Sequence, residues 1–203
     1  MLKIGITGGI GSGKTTVCKI FELLNIPVFY ADDVAKTLMV TDALLVSQIK
    51  SSFGAEAYFA DQTLNRKHIA DIVFANPDKL AVLNSFVHPA VFRAMDEWVL
   101  KQTAPYVLKE AALLFESGSY RQNHFNILVS AKEELRIQRV MKRDGITQDK
   151  VKERIANQMS EEEKSTKADF FISNNEDEFL ITQVLALHRQ FLGLPPNASK
   201  NLI

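Results

Sequence analysis

The sequence predicts an α/β fold built on a parallel sheet with helices on both faces, and three observations predict it. A short β-branched run, Leu2 to Thr7, passes into a glycine-rich turn, a helical stretch and a second short strand, Pro27 to Tyr30, which is the βαβ pattern of a parallel sheet. Strand-like runs return only after residue 105. Between them, Val34 to Lys101 carries helical spacing and no clear strand, far more chain than the dozen or so residues a crossover needs.

The elements follow in order. Leu2–Thr7 is short and apolar enough for a strand buried on both faces. Gly8 to Thr15 then reads Gly-Gly-Ile-Gly-Ser-Gly-Lys-Thr, a full GxxxxGK[ST] phosphate-binding loop between a strand and a helix. Gly8, Gly9, Gly11 and Gly13, with Ser12 among them, keep side chains out of the space an anion would fill, and a helix starting near Gly13 adds its amide dipoles. Lys14 is placed to reach the β and γ phosphates of ATP, and the Thr15 hydroxyl to ligate Mg2+. The first helix is expected over Thr15–Leu24, and the insert repeats apolar residues at helical spacing from Leu44 through Val99. Further strands are expected at Tyr106–Leu108, leading on through the apolar run Ala111–Glu116, at Phe125–Val129 and at Phe170–Ile172. Glu133–Lys142 reads as a helix, Arg143–Lys167 as a charged flap split near Gly145 and Ser160, and Asp177–Phe191 as a closing helix. Pro195–Lys200 reads as frayed. The result is a three-layer αβα core of the P-loop NTPase type with a five-stranded parallel sheet (residues 1–33, 104–138 and 168–203), a helical insert (34–103) and a helical lid (139–167).

Composition narrows the function. Lysine plus arginine equals aspartate plus glutamate at 24 each, so the chain has no overall field for nucleic acid, and phosphate chemistry must depend on local charge. The single Cys18 excludes an internal disulfide and reads as a small apolar filler in the first helix. No run of about 18 apolar residues or leader pattern is present, so a cytoplasmic protein without a membrane span is expected, monomeric or weakly homo-oligomeric.

The loop alone leaves a GTPase, a motor ATPase and a small-molecule kinase open. The Asn-Lys-x-Asp motif of GTPases is absent, and the apolar run where a motor would place an aspartate ends in Leu114-Phe115-Glu116. A kinase needs a base near the acceptor hydroxyl and cations that close over the transferring group. Asp32, just past the second strand, is the candidate base; its alternative is a helix cap, a place Asp33 fits better. Arg139 and Arg143 lie four apart on one helix face and can clamp phosphate oxygens, or else form solvated ion pairs. His88 precedes Pro89, which suits a helix first turn; the histidine either holds a polar substrate group or packs as a capping residue. Glu116 is either a crevice carboxylate acting through a Mg2+-bound water or a plain loop residue. Asn174-Asn175 either contacts a base edge or makes a turn, and Trp98 and the phenylalanines read as core.

Taken together, these residues resemble the bacterial dephospho-coenzyme A kinases over nearly the whole chain. The matching segments are Ile6–Thr15, Tyr30–Lys36, Leu64–Arg66, Ile72–Phe74, His88-Pro89, Leu113–Glu116, Gln138-Arg139 with Lys142–Asp144, and Ala168-Asp169 with Ile172 and Asn174-Asn175. The resemblance implies ATP-dependent phosphorylation of the ribose 3′-hydroxyl of dephospho-CoA, the last step of CoA synthesis. It implies that Gly8 to Thr16 and Asn175 hold ATP, that Asp32, His88, Leu114 and Glu116 face the substrate, and that Lys14, Asp32, Arg139 and Arg143 carry catalysis. One departure is Tyr30, where the family often has a first aspartate. The rival readings are another P-loop small-molecule or nucleotide kinase and a non-catalytic nucleotide sensor.

Overall fold

The computed structural model describes residues 1–195 and 198. Most of the tail expected to fray, Pro195–Lys200, lies outside the described residues. The chain forms two compact units, one of residues 1–30 with 102 onward and one of Ala31–Lys101.

The first unit is a five-stranded, wholly parallel sheet ordered β2-β3-β1-β4-β5, with β1 Leu2–Thr7, β2 Val28–Tyr30, β3 Tyr106–Glu110, β4 Phe125–Ser130 and β5 Phe170–Ser173. Its helices are α1 Lys14–Leu23, α6 Glu133–Asp144, α7 Gln148–Ala156, α8 Glu161–Ser165 and α9 Leu180–Leu192. In the second unit these are α2 Ala31–Thr41, α3 Ala43–Phe53, α4 Arg66–Ala75 and α5 Pro77–Val99.

The sheet core is apolar and aromatic. Ile4 and Ile6 of β1, Leu108 of β3 and Ile127 and Val129 of β4 are fully buried with Val17, Cys18 and Phe21 of α1. Five rings, Phe21, Tyr106, Phe191, Phe170 and Phe125, follow one another edge to face at centroid distances of 5.1–6.4 Å, the geometry aromatic quadrupoles prefer. Cys18 serves as packing, and burial pushes its thiol up, keeping it protonated and unreactive. Of the phenylalanines expected in the core, Phe59, Phe74, Phe171 and Phe179 are instead exposed, and Trp98 is half-buried.

Three expectations need correction. β3 does not extend through Ala111–Glu116. Its Glu110 pairs with Ile6, β1 ends one residue later at Thr7, and a strand continuing further would have no central partner. The chain coils instead, with Ser117 N–H donating to the Leu113 carbonyl, and buries Leu114 and Phe115 in turns. Pro89 does not open a helix. Asn76 caps α5 through Oδ1 to the Asp78 and Lys79 amides and Pro77 takes the first turn, leaving Pro89 and His88 well inside. The lost backbone bond is outweighed by burial of Leu83, Val87, Ala90, Val91 and Met95. Finally, α2 starts at Ala31, directly after β2, so Asp32 and Asp33 both lie in its first turn and neither is its cap. The remaining boundaries are small adjustments, the largest being α9, which begins at Leu180 rather than Asp177. The flap divides at Gly145, in a left-handed C-cap of α6, and at Ser160, which caps α8 in a reciprocal capping box with Glu163.

Candidate active site

The site begins at the C-terminal end of β1, the central strand, where an open parallel sheet places its ligands. The chain turns at Gly8, folds the Ser12 N–H back to the Gly9 carbonyl at 3.0 Å, and enters α1 through Gly13. Gly11 and Gly13 have φ of +80° and +96°, values that only glycine adopts without strain. No side chain caps α1, so its first-turn dipoles are presented to whatever anion lies in the loop. Lys14 Nζ donates to the Gly8 carbonyl at 2.9 Å, folding across the loop mouth. Thr15 and Thr16 are exposed on the first turn.

Three buried polar atoms at or beside this loop lack a hydrogen-bond partner among the described residues: Ser12 Oγ, Arg136 Nε and Arg139 Nη1. Unpaired buried donors are costly, and hydroxyl and guanidinium groups both donate to anions. Arg139 reaches the site from α6 and donates through Nη2 to the Asn174 carbonyl at 3.0 Å and to Glu176 Oε1 at 2.9 Å. Arg143 is differently placed: exposed, its Nε and Nη2 grip the two oxygens of Asp144, which also accepts from Arg154. The Arg143 hydrogen bond holds the Asp144 carboxyl below the usual carboxylate range and raises Arg143 in return.

Asn174 is the contact that sequence reasoning missed in detail. Its Nδ2 donates to the Ser12 carbonyl at 2.8 Å and occupies the space a Gly13 Cβ would need. Its neighbour Asn175 is engaged in a turn, accepting from the Lys132 N–H and donating to Ser173 Oγ. Beside Thr16, a groove of about 500 Å³ runs between Ile20, Phe179, Leu180 and Ile181, with Glu176 to Glu178 along it.

The acids divide in a similar way. Glu110 ends β3 nearly buried beside Ile6 of β1. Glu116 sits in the turns after β3, where Oε1 accepts the Met159 N–H at 3.0 Å and lies 3.6 Å from Lys164 Nζ. Leu114 is a fully buried core residue. Tyr30 does not stand in for an acid: burial keeps its phenol protonated, and it donates to Glu22 Oε1 at 3.1 Å. In the second unit, Asp32 is exposed at the second position of α2, and His88 lies half-buried on α5 with its ring 6.2 Å from Phe92.

Among the described residues no group of three or more His, Cys, Asp or Glu could hold a metal. Thr15, in the first turn of α1, and Glu110, the last residue of β3, each offer an oxygen donor of the kind Mg2+ takes, a hard ion that keeps several waters and substrate phosphates as ligands. No helix among the described residues is long and apolar enough to cross a membrane.

This sheet order and glycine loop define a P-loop kinase-type nucleotide-binding fold. A family profile described as dephospho-CoA kinase matches residues 2–178. The dephospho-CoA kinase of Salinibacter ruber is 41% identical over 178 residues, 86% of this chain and 89% of that protein. A crystal structure from Thermus thermophilus superposes with a TM-score of 0.84 at 34% identity, covering 93% of this chain and 96% of that one. The dephospho-CoA kinase of Campylobacter jejuni gives a TM-score of 0.66 at 27% identity, with 93% and 96% coverage. The chain belongs to the dephospho-CoA kinase family.

Proposed function

We propose that the chain transfers the γ-phosphoryl group of ATP to the 3′-hydroxyl of dephospho-CoA, giving CoA and ADP in the final step of CoA synthesis. The observation that carries the reading is the glycine cradle with its unpaired Ser12 Oγ and Arg139 Nη1, in a chain whose family has this activity. The residues Gly8 to Thr16 hold the triphosphate, Lys14 leaves the Gly8 carbonyl for the β and γ oxygens, and the groove beside Thr16 seats the base near Asn174 and Asn175. Thr15 would hold Mg2+, which would neutralise charge on the phosphates.

Asp32 orients the acceptor hydroxyl and takes its proton as the oxygen attacks the γ phosphorus and the bond to the β–γ bridging oxygen breaks. Arg139 stabilises the charge that gathers on the transferring group, and Arg143 joins it once released from Asp144. The helices of Ala31–Lys101 supply the substrate lobe through His88, residues 139–167 act as the lid, and Leu114 and Glu116 support the site from within. The protein works in the cytoplasm as a monomer or weak homo-oligomer. ADP release from ATP and Mg2+, measured with and without dephospho-CoA, tests the reading. Release that depends on dephospho-CoA is expected. Release driven instead by a nucleoside monophosphate, or ATP binding with no acceptor-dependent release, overturns it.

A further inference from the structure

We propose that Gln158 is a positioning residue for phosphoryl transfer, holding the tip of the phosphate loop in register with the flap helices. The proposal rests on the assignment of Gly8–Thr16 to the triphosphate. The Ile10 N–H, at the tip, donates to Gln158 Oε1 at 2.9 Å across 148 residues of chain. The Ile10 side chain packs against the small core of α6 and α7, formed by Ile137, Val140 and Val151. The neighbouring loop positions are clasped as well. A Cβ on Gly9 would lie 2.5 Å from Arg136 Nη1, and one on Gly11 would lie 2.5 Å from the Arg136 carbonyl oxygen. Three consecutive loop residues are therefore braced by one frame.

That frame is itself fixed. Arg136, its side chain 5% exposed, donates to Glu161 Oε1 at 2.6 Å and so ties α6 to α8. The connector between α7 and α8 is held on its other side by Glu116, through the Met159 N–H and the buried Lys164. Gln158 projects from this connector to the loop. Arg139, whose guanidinium has an unpaired buried nitrogen, stands on α6 three residues beyond Arg136. The Gln158 bond thus sets the distance between the loop tip and the cation that meets the same phosphate. A cavity of about 480 Å³ beside Arg136, Ile155, Gln158 and Glu161 gives the connector room to move once the bond is lost. The chemistry also calls for an amide. It accepts the Ile10 proton as a carboxylate would, without adding negative charge beside a bound triphosphate.

The test compares Gln158→Met, which keeps the shape and loses the acceptor, with Gln158→Glu, which keeps the acceptor and adds charge. In Gln158→Met, amide exchange at Ile10 rises about tenfold or more and kcat falls about tenfold, while KM for dephospho-CoA is unchanged. Gln158→Glu restores the protection of the Ile10 amide and binds ATP more weakly than wild type. Wild-type kcat in Gln158→Met, or a fall in kcat without faster exchange at Ile10, overturns the proposal. If Gln158→Met does not fold, Gln158→Asn, one methylene too short to reach, is read in the same way. Lys14→Met separates the two layers of the argument. Undiminished turnover in that variant overturns the assignment of the loop to the triphosphate. An inactive Lys14→Met beside an undisturbed Gln158→Met overturns the positioning role alone.

Discussion

Replacing Gly11 with alanine puts two costs into one residue, and the structure allows them to be separated. The backbone at Gly11 has φ +80°, a left-handed conformation that costs an L-residue about 1–2 kcal/mol. The new Cβ would also lie 2.5 Å from the Arg136 carbonyl oxygen and 3.0 Å from its Cα and carbonyl carbon, where ordinary contact begins at 3.4 Å. These are backbone atoms of a helix and cannot rotate away, so overpacking adds about 1–3 kcal/mol. The sum, about 2–5 kcal/mol, corresponds to a fall in Tm of roughly 4–20 °C for a chain of this size. Gly145→Ala is the control: its φ is +65° and nothing lies within 4 Å of the added Cβ, so it carries the backbone cost alone, a fall of roughly 2–8 °C. Differential scanning calorimetry on both variants reads the difference. Equal midpoints would mean that the loop does not press on Arg136, and the reasoning about the braced cradle fails with it.

Other outcomes follow from the site. Asp32→Ala lowers kcat by about two orders of magnitude with little change in ATP affinity, measured by steady-state kinetics and calorimetric titration; near-normal turnover removes Asp32 from its role. Arg139→Met costs about a hundredfold in kcat, because its guanidinium already holds the carbonyl of Asn174, whose side chain meets the loop at Ser12, whereas Arg143→Met costs less, being bound to Asp144; the reverse order in single-turnover rates would exchange their roles. His124 accepts the Lys3 N–H through Nδ1 at 3.0 Å, and burial lowers its pKa from 6.5. The unfolded state therefore binds the proton more readily, so stability falls as pH drops through about 6.5 toward the lower folded value, and His124→Asn flattens that part of a Tm–pH profile.

What could be read from the sequence was local. The loop glycines, the Gly145 and Ser160 boundaries and the strand Leu2–Thr7 each follow from residues within a few positions of one another. What could not be read depended on partners far away. The end of β3 is set by where β1 stops, about a hundred residues earlier, and an apolar run such as Ala111–Phe115 fits a buried strand or a buried turn equally well. Pro89 resembles a helix start when its neighbours alone are considered, whereas the stronger signal, Asn76-Pro77, lies a dozen residues upstream. Of the candidate site, the loop that carries Lys14 and Thr15 is legible from spacing. The contacts of Asn174 with Ser12 and of Gln158 with Ile10 span 162 and 148 residues and leave no trace in local pattern.

The ladder of five rings has a consequence for biosynthesis. Its members come from α1, β3, β4, β5 and α9, so Phe21 emerges from the ribosome long before Phe191 exists to close the stack. At about 5–20 residues per second, that interval is on the order of ten seconds or more. Ala31–Lys101, the second compact unit, is translated whole between β2 and β3. The aromatic ladder of the sheet is joined only when Phe191 of α9 arrives between Tyr106 and Phe170.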